Sequence, residues 1–111
     1  MPFRINAYGR SDVGQVRTRN EDTMVVEPSQ GILVVADGMG GAPAGDVASA
    51  LAAQEVARAL HSGVGMDEAV QAANRRILEM AETQPAMSGM GTTLTALRIL
   101  PETGEYVVGH V

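Results

Sequence analysis

Two short clusters in this chain carry oxygen ligands at spacings that suit a hard cation. The first is Asp37-Gly38 inside GILVVADGMGG, residues 31–41, where an apolar run stops at a carboxylate and glycines follow. A carboxylate held by a strand, with bare backbone after it, offers the Asp37 side-chain oxygens and the Gly38 carbonyl to one ion. Taken alone, Asp-Gly is also the composition of a plain turn. The second cluster is Asn20-Glu21-Asp22. Its adjacent acids repel each other, and either stand solvated at a loop tip or share a cation that relieves the repulsion. Thirteen acidic against eight basic side chains give a net charge of -5, which is compatible with cation binding and argues against a nucleic-acid surface. The absence of cysteine excludes disulfides and thiolate zinc sites, so a metal must be held by oxygen or by the two histidines, His61 and His110.

The elements that must hold these groups follow from hydrophobic period. Phe3 to Tyr8 alternates and predicts a strand ended by Gly9, and a second short strand is expected at Met24 to Val26, just after the acid pair. Ile32 to Val35 reads as a strand buried on both faces, with Asp37 at its end. Ala44 to Ser62 reads as a helix whose inner face is Ala48, Leu51, Ala52, Val56, Ala59 and Leu60, with Ser49, Gln54, Glu55 and Arg58 outward. Asp46 suits its first turn and Gly63 stops it. A second helix, about Met66 to Glu82, has Val70, Ala73 and Ile77 on its stripe and Pro85 beyond its end. Strands at Thr92 to Leu100 and Glu105 to Val111 follow, joined by a PETG turn. At 111 residues with 45% apolar content, one Phe and no Trp, the chain is one domain at most with an aliphatic core. No repeat, low-complexity tract or charge run marks a linker. No apolar run approaches the roughly 20 residues of a membrane span, and MPFRINAYG has no signal-peptide hydrophobic region; a soluble cytoplasmic protein is expected.

The order of the signals is more informative than any one of them. Gly14, Val16 and Arg17, then Asn20-Glu21-Asp22, then VVADGMGG, an alanine-rich helix and MGTTLTAL together resemble the metal-dependent protein phosphatases of the 2C family in their short bacterial form. The resemblance covers essentially the whole chain. It implies an α/β (α+β) fold, a four-layer sandwich of helix pairs on two antiparallel sheets, of which residues 1–111 are an N-terminal portion. It further implies hydrolysis of phosphoserine and phosphothreonine in phosphorylated proteins by a water activated between two Mn²⁺ or Mg²⁺ ions. The aspartate matching Asp37 bridges the metals and the carbonyl matching Gly38 binds one of them. The acids matching Glu21 and Asp22 act largely through bound waters, and the arginine matching Arg17 holds the substrate phosphate. A guanidinium suits that task because it offers paired donors to two phosphate oxygens. Read on its own, Arg17 also fits a surface ion pair with Glu21.

Two departures bear on mechanism. Met39 stands where many members carry a histidine proposed to protonate the leaving group, and Ala42 stands where bacterial members commonly have another. The general acid is therefore unassigned, as is His110, while His61 reads as a solvated residue near a helix end. Thr92 and Thr93 match a recurring Gly-Thr-Thr that resembles a structural element. The chain stops within what reads as a strand, before the family's later aspartates, so these 111 residues are expected to be inactive alone and to self-associate or be completed by a partner segment along the apolar edge of Val107, Val108 and Val111. The alternative is a non-catalytic phosphoprotein-binding or regulatory module on the same scaffold. A nucleotide-binding phosphate loop is set aside, since neither GK[ST] nor G-x-G-x-x-G is present.

Overall fold

A computed structural model describes residues 4–9, 22–39 and 44–111. Four strands form one antiparallel sheet in sequence order: β1 (Asp22–Glu27), β2 (Ile32–Met39), β3 (Gly91–Ile99) and β4 (Tyr106–His110). Between β2 and β3 run two helices, α1 (Ala44–His61) and α2 (Met66–Thr83). The tight β1–β2 connection is a 3₁₀ turn, Pro28–Gln30, closed by Gly31 at φ 69°. A Cβ at Gly31 would collide with the Ile99 carbonyl oxygen, so glycine is required both by conformation and by the close approach of β3.

Both helices lie on one face of the sheet. Small residues along α1 (Ala48, Ala52, Ala53, Ala57) bring its backbone close to the strands, so that it crosses β1, β2 and β3, while α2 packs on α1 and reaches β4. The core between them holds Ile32, Val34 and Ala36 from β2, Val56 and Leu60 from α1, Ala69 and Ala73 from α2, and Leu94 and Ala96 from β3. Arg98, on the same face, donates from Nη1 at 2.6 Å to the Leu60 carbonyl, which also accepts from the Gly63 N–H at 3.1 Å, and so ties β3 to the end of α1.

Among the described residues no helix covers the opposite face. On β2 burial alternates strictly, with Ile32, Val34 and Ala36 inside while Val35 is 56% and Met39 51% exposed. This corrects the expectation of a strand buried on both sides. The apolar run gave no alternation because Leu33 and Val35, on the uncovered face, are as apolar as their neighbours. β2 also runs on to Met39, so Asp37 lies within the strand rather than at its end, and Gly38 pairs with Thr92 instead of opening a turn. β1 begins at Asp22, two residues earlier than expected. Residues 4–9 form no strand among the described residues, although Gly9 lies against Met24 and Val26 of β1. Ser49, expected to face outward, is fully buried. Polarity suggested the outer face, but the hydroxyl meets a partner from β1. Among the described residues no helix is long and apolar enough to cross a membrane.

Candidate metal centre

The register of the sheet brings two of the predicted ligands together. Asp22 on β1 stands directly opposite Asp37 on β2, and Thr93 on β3 stands directly opposite Asp37 on its other side. All three belong to the face turned away from the helices, since their neighbours Thr23, Ala36 and Leu94 turn toward them.

The hydrogen-bond alternation fixes how close the two acids come. Leu94 exchanges both backbone bonds with Val111 (3.0 and 2.9 Å), so even-numbered residues of β3 turn their backbone groups to β4 and odd-numbered ones turn theirs to β2. Asp37, opposite Thr93, therefore points its own N–H and carbonyl at β3, and the Thr93 hydroxyl lies 3.5 Å from that carbonyl. Toward β1 the Asp22–Asp37 pair is then the non-hydrogen-bonded kind, in which Cα atoms approach to about 4.5 Å and the side chains are closest. By the same alternation Gly38 directs its carbonyl to the β1 side, next to Asp22. Like charges directly opposite destabilise a sheet, and a cation shared between them removes the penalty. Two carboxylates and a peptide carbonyl are hard oxygen donors, the set that Mn²⁺ or Mg²⁺ takes, so the residues present fit the implied ions. Among the described residues no group of three or more His, Asp or Glu side chains converges. Glu21 and Arg17, the other two predicted site residues, lie outside the described residues, as does Ala42.

Met39 follows Asp37 by two positions on the same face and sits opposite Gly91, where a Cβ would lie 3.4 Å from the Met39 Cγ. An imidazole does lie on this face, but farther off. His110 of β4 is paired with Thr95, its Nδ1 2.7 Å from the Thr95 Oγ1, in the row next to Asp37 and Thr93. It is two strands from β2, about 10 Å to the side at ordinary strand spacing, too far for direct contact with a group held by Asp37. His61 ends α1 on the helical side. Sequence reasoning missed the place of Thr93 beside Asp37, and the available signal was only that β2 and β3 must pair.

A family model described as Protein phosphatase 2C matches residues 12–111. The chain belongs to the protein phosphatase 2C family. It is 44% identical over an alignment of 94 residues to the serine/threonine protein phosphatase PstP of Mycobacterium tuberculosis, the match covering 79% of this chain and 18% of that protein. A crystal structure of the PstP catalytic domain in complex with two manganese ions superposes with a TM-score of 0.78 at 38% identity, covering 92% of this chain and 45% of that one. The serine/threonine phosphatase Stp1 of Staphylococcus aureus superposes with a TM-score of 0.81 at 26% identity, covering all of this chain and 48% of its own. The chain thus spans less than half the length of these relatives, and the antiparallel sheet with two helices is the part of the phosphatase fold it carries.

Proposed function

We propose that residues 1–111 are an N-terminal portion of the catalytic domain of a metal-dependent protein serine/threonine phosphatase, acting on phosphorylated proteins in the cytoplasm in opposition to a serine/threonine kinase. Asp37, the Gly38 carbonyl, Glu21 and Asp22 hold Mn²⁺ or Mg²⁺, and Arg17 takes the substrate phosphate. The observation that carries this reading is the direct cross-strand placement of Asp22 against Asp37 in a chain of the 2C family. When bound, such ions supply positive charge to the phosphoryl oxygens and a hydroxide nucleophile at neutral pH.

The chain's own residues do the positioning. β2 fixes Asp37 between two paired strands, so its carboxylate reaches the cation with little freedom to lose, and β1 brings Asp22 up against it. Arg17 presents paired donors to two phosphate oxygens and orients the ester. With Met39 beside the site and His110 two strands away, the proton donor to the leaving alcohol is unassigned among the described residues.

Alone, the chain turns over little, because it spans under half of the solved relatives and its described residues bring together only one carboxylate pair. The exposed strand β4, with Val107 47% and Val108 55% exposed, and Val111 just beyond it, favours self-association or completion by a partner segment along that edge. The test assays this chain and one extended to the relatives' length side by side on a phosphothreonine peptide. Mn²⁺-dependent turnover by the extended chain, abolished by chelator and reduced at least about 10³-fold by Asp37→Ala, is expected. Full activity in excess chelator, or phosphopeptide binding without turnover, contradicts it.

A further inference from the structure

We infer that Ser49, through Thr23, is a positioning residue for the carboxylate pair, resting on the metal-centre reading above. Among the described residues Ser49 is the polar side chain that is fully buried, and it sits in α1 facing the sheet. Its Oγ lies 2.9 Å from the Thr23 Oγ1 and donates to the Asp46 carbonyl at 3.2 Å. A serine hydroxyl has one proton. With that proton committed to Asp46, the Thr23 hydroxyl donates to Ser49, giving a directed relay from β1 to the first turns of α1.

The position of this relay along β1 gives it its role. Thr23 is the residue next to Asp22, and among the described residues β1 pairs only with β2. Its register among those residues rests on that one ladder and on side-chain contacts, those of Met24 and Val26 with Gly9 on one face and those of Thr23 and Val25 on the helical face. A slip of one residue turns Asp22 to the helical face, and a slip of two sets it opposite Val35 or Met39 instead of Asp37. Val25 adds an apolar contact to the core two positions on, but valine tolerates sliding over an aliphatic surface. A hydrogen bond between two partly enclosed hydroxyls does not, because any shift strands a polar group. Ser49 therefore holds Asp22 across from Asp37 without touching the ion itself. Loss of such a supporting contact typically weakens metal binding 10- to 100-fold.

The probe is Mn²⁺ alone, titrated into the parent chain, Ser49→Ala, Thr23→Val and the double variant, with free ion read by electron paramagnetic resonance. Each single variant is expected to raise the Mn²⁺ Kd about tenfold, and the double variant no further than the weaker single one, since both remove the same bond. Val56→Ala, a core truncation on the same helix, lowers the melting temperature and leaves Kd unchanged, which separates positioning from stability. Should Ser49→Ala fail to fold, Thr23→Val, nearly isosteric, decides the matter. An unchanged Kd in Thr23→Val or Ser49→Ala overturns the inference alone; a parent chain that binds no Mn²⁺ overturns the metal-centre reading and the inference with it.

Discussion

The two faces of the sheet are built from similar residues and do different work. The helical face seats Ile32, Val34, Ala36, Leu94 and Ala96 against the alanine-lined side of α1, with every one of them buried. The other face presents Val35, Val108 and Tyr106 to solvent and, at one end of the strands, the row Asp22, Asp37 and Thr93. The two-residue period of a strand thus separates the residues that build the core from those of the proposed cation site. Ala36 holds β2 in the core, and its neighbour Asp37 points the other way, onto the face proposed to serve a cation.

The largest expected effect tests that separation directly. Val34→Asp places an unpaired carboxylate in the core and should cost roughly 4 kcal/mol or more, enough to unfold much of the population, whereas Val35→Asp one residue on should cost within about 1 kcal/mol. Denaturant midpoints of the two variants decide it, and equal losses would mean that the faces are not distinct. Sedimentation should also show Val35→Asp less self-associated than the parent, since it charges the uncovered apolar face. A smaller contrast comes from β3. Leu94→Ala should lose about 2–4 kcal/mol and Thr95→Ala, which removes only an exposed bond to His110, under about 1 kcal/mol.

The smallest effect lies on the outer side of α1. Arg58 hydrogen-bonds to Glu55 at 2.5 and 3.2 Å, and this bond, ahead of the Coulombic pull of the neighbouring arginines, holds the Glu55 carboxyl below its ordinary range. A carboxyl depressed by folding stabilises above its unfolded value, and that contribution is lost as pH falls through the folded value. Glu55→Gln should therefore leave the neutral-pH melting temperature almost unchanged, as exposed pairs do, and remove a slight acid-side decline. A large neutral-pH loss would show that the outer side of α1 carries stability after all.

Much of this was legible in the sequence, and the exceptions share a cause. The helices announced themselves through Ala48, Ala52, Val56 and Ala59 on one stripe and through Gly63 and Pro85 at their ends, because helical periodicity is local. The ordered motifs also pointed to the family. What a linear reading could not supply is pairing. That Asp22 faces Asp37 rather than solvent depends on the β1–β2 register, and that Ser49 is buried depends on Thr23, 26 residues earlier. The one-sided burial of β2 was hidden for a related reason, since apolar residues on both faces of a strand erase the alternation that would reveal it.

The central claim is that the cross-strand carboxylate pair is a cation site, and the shift of the denaturant midpoint by Mn²⁺ measures it most directly. The parent chain should gain stability with added Mn²⁺, by about 2.7 kcal/mol once the free ion reaches a hundred times its Kd, and Asp37→Asn should show almost none of that gain. A parent chain indifferent to Mn²⁺, or an Asp37→Asn variant stabilised as much as the parent, would contradict the claim.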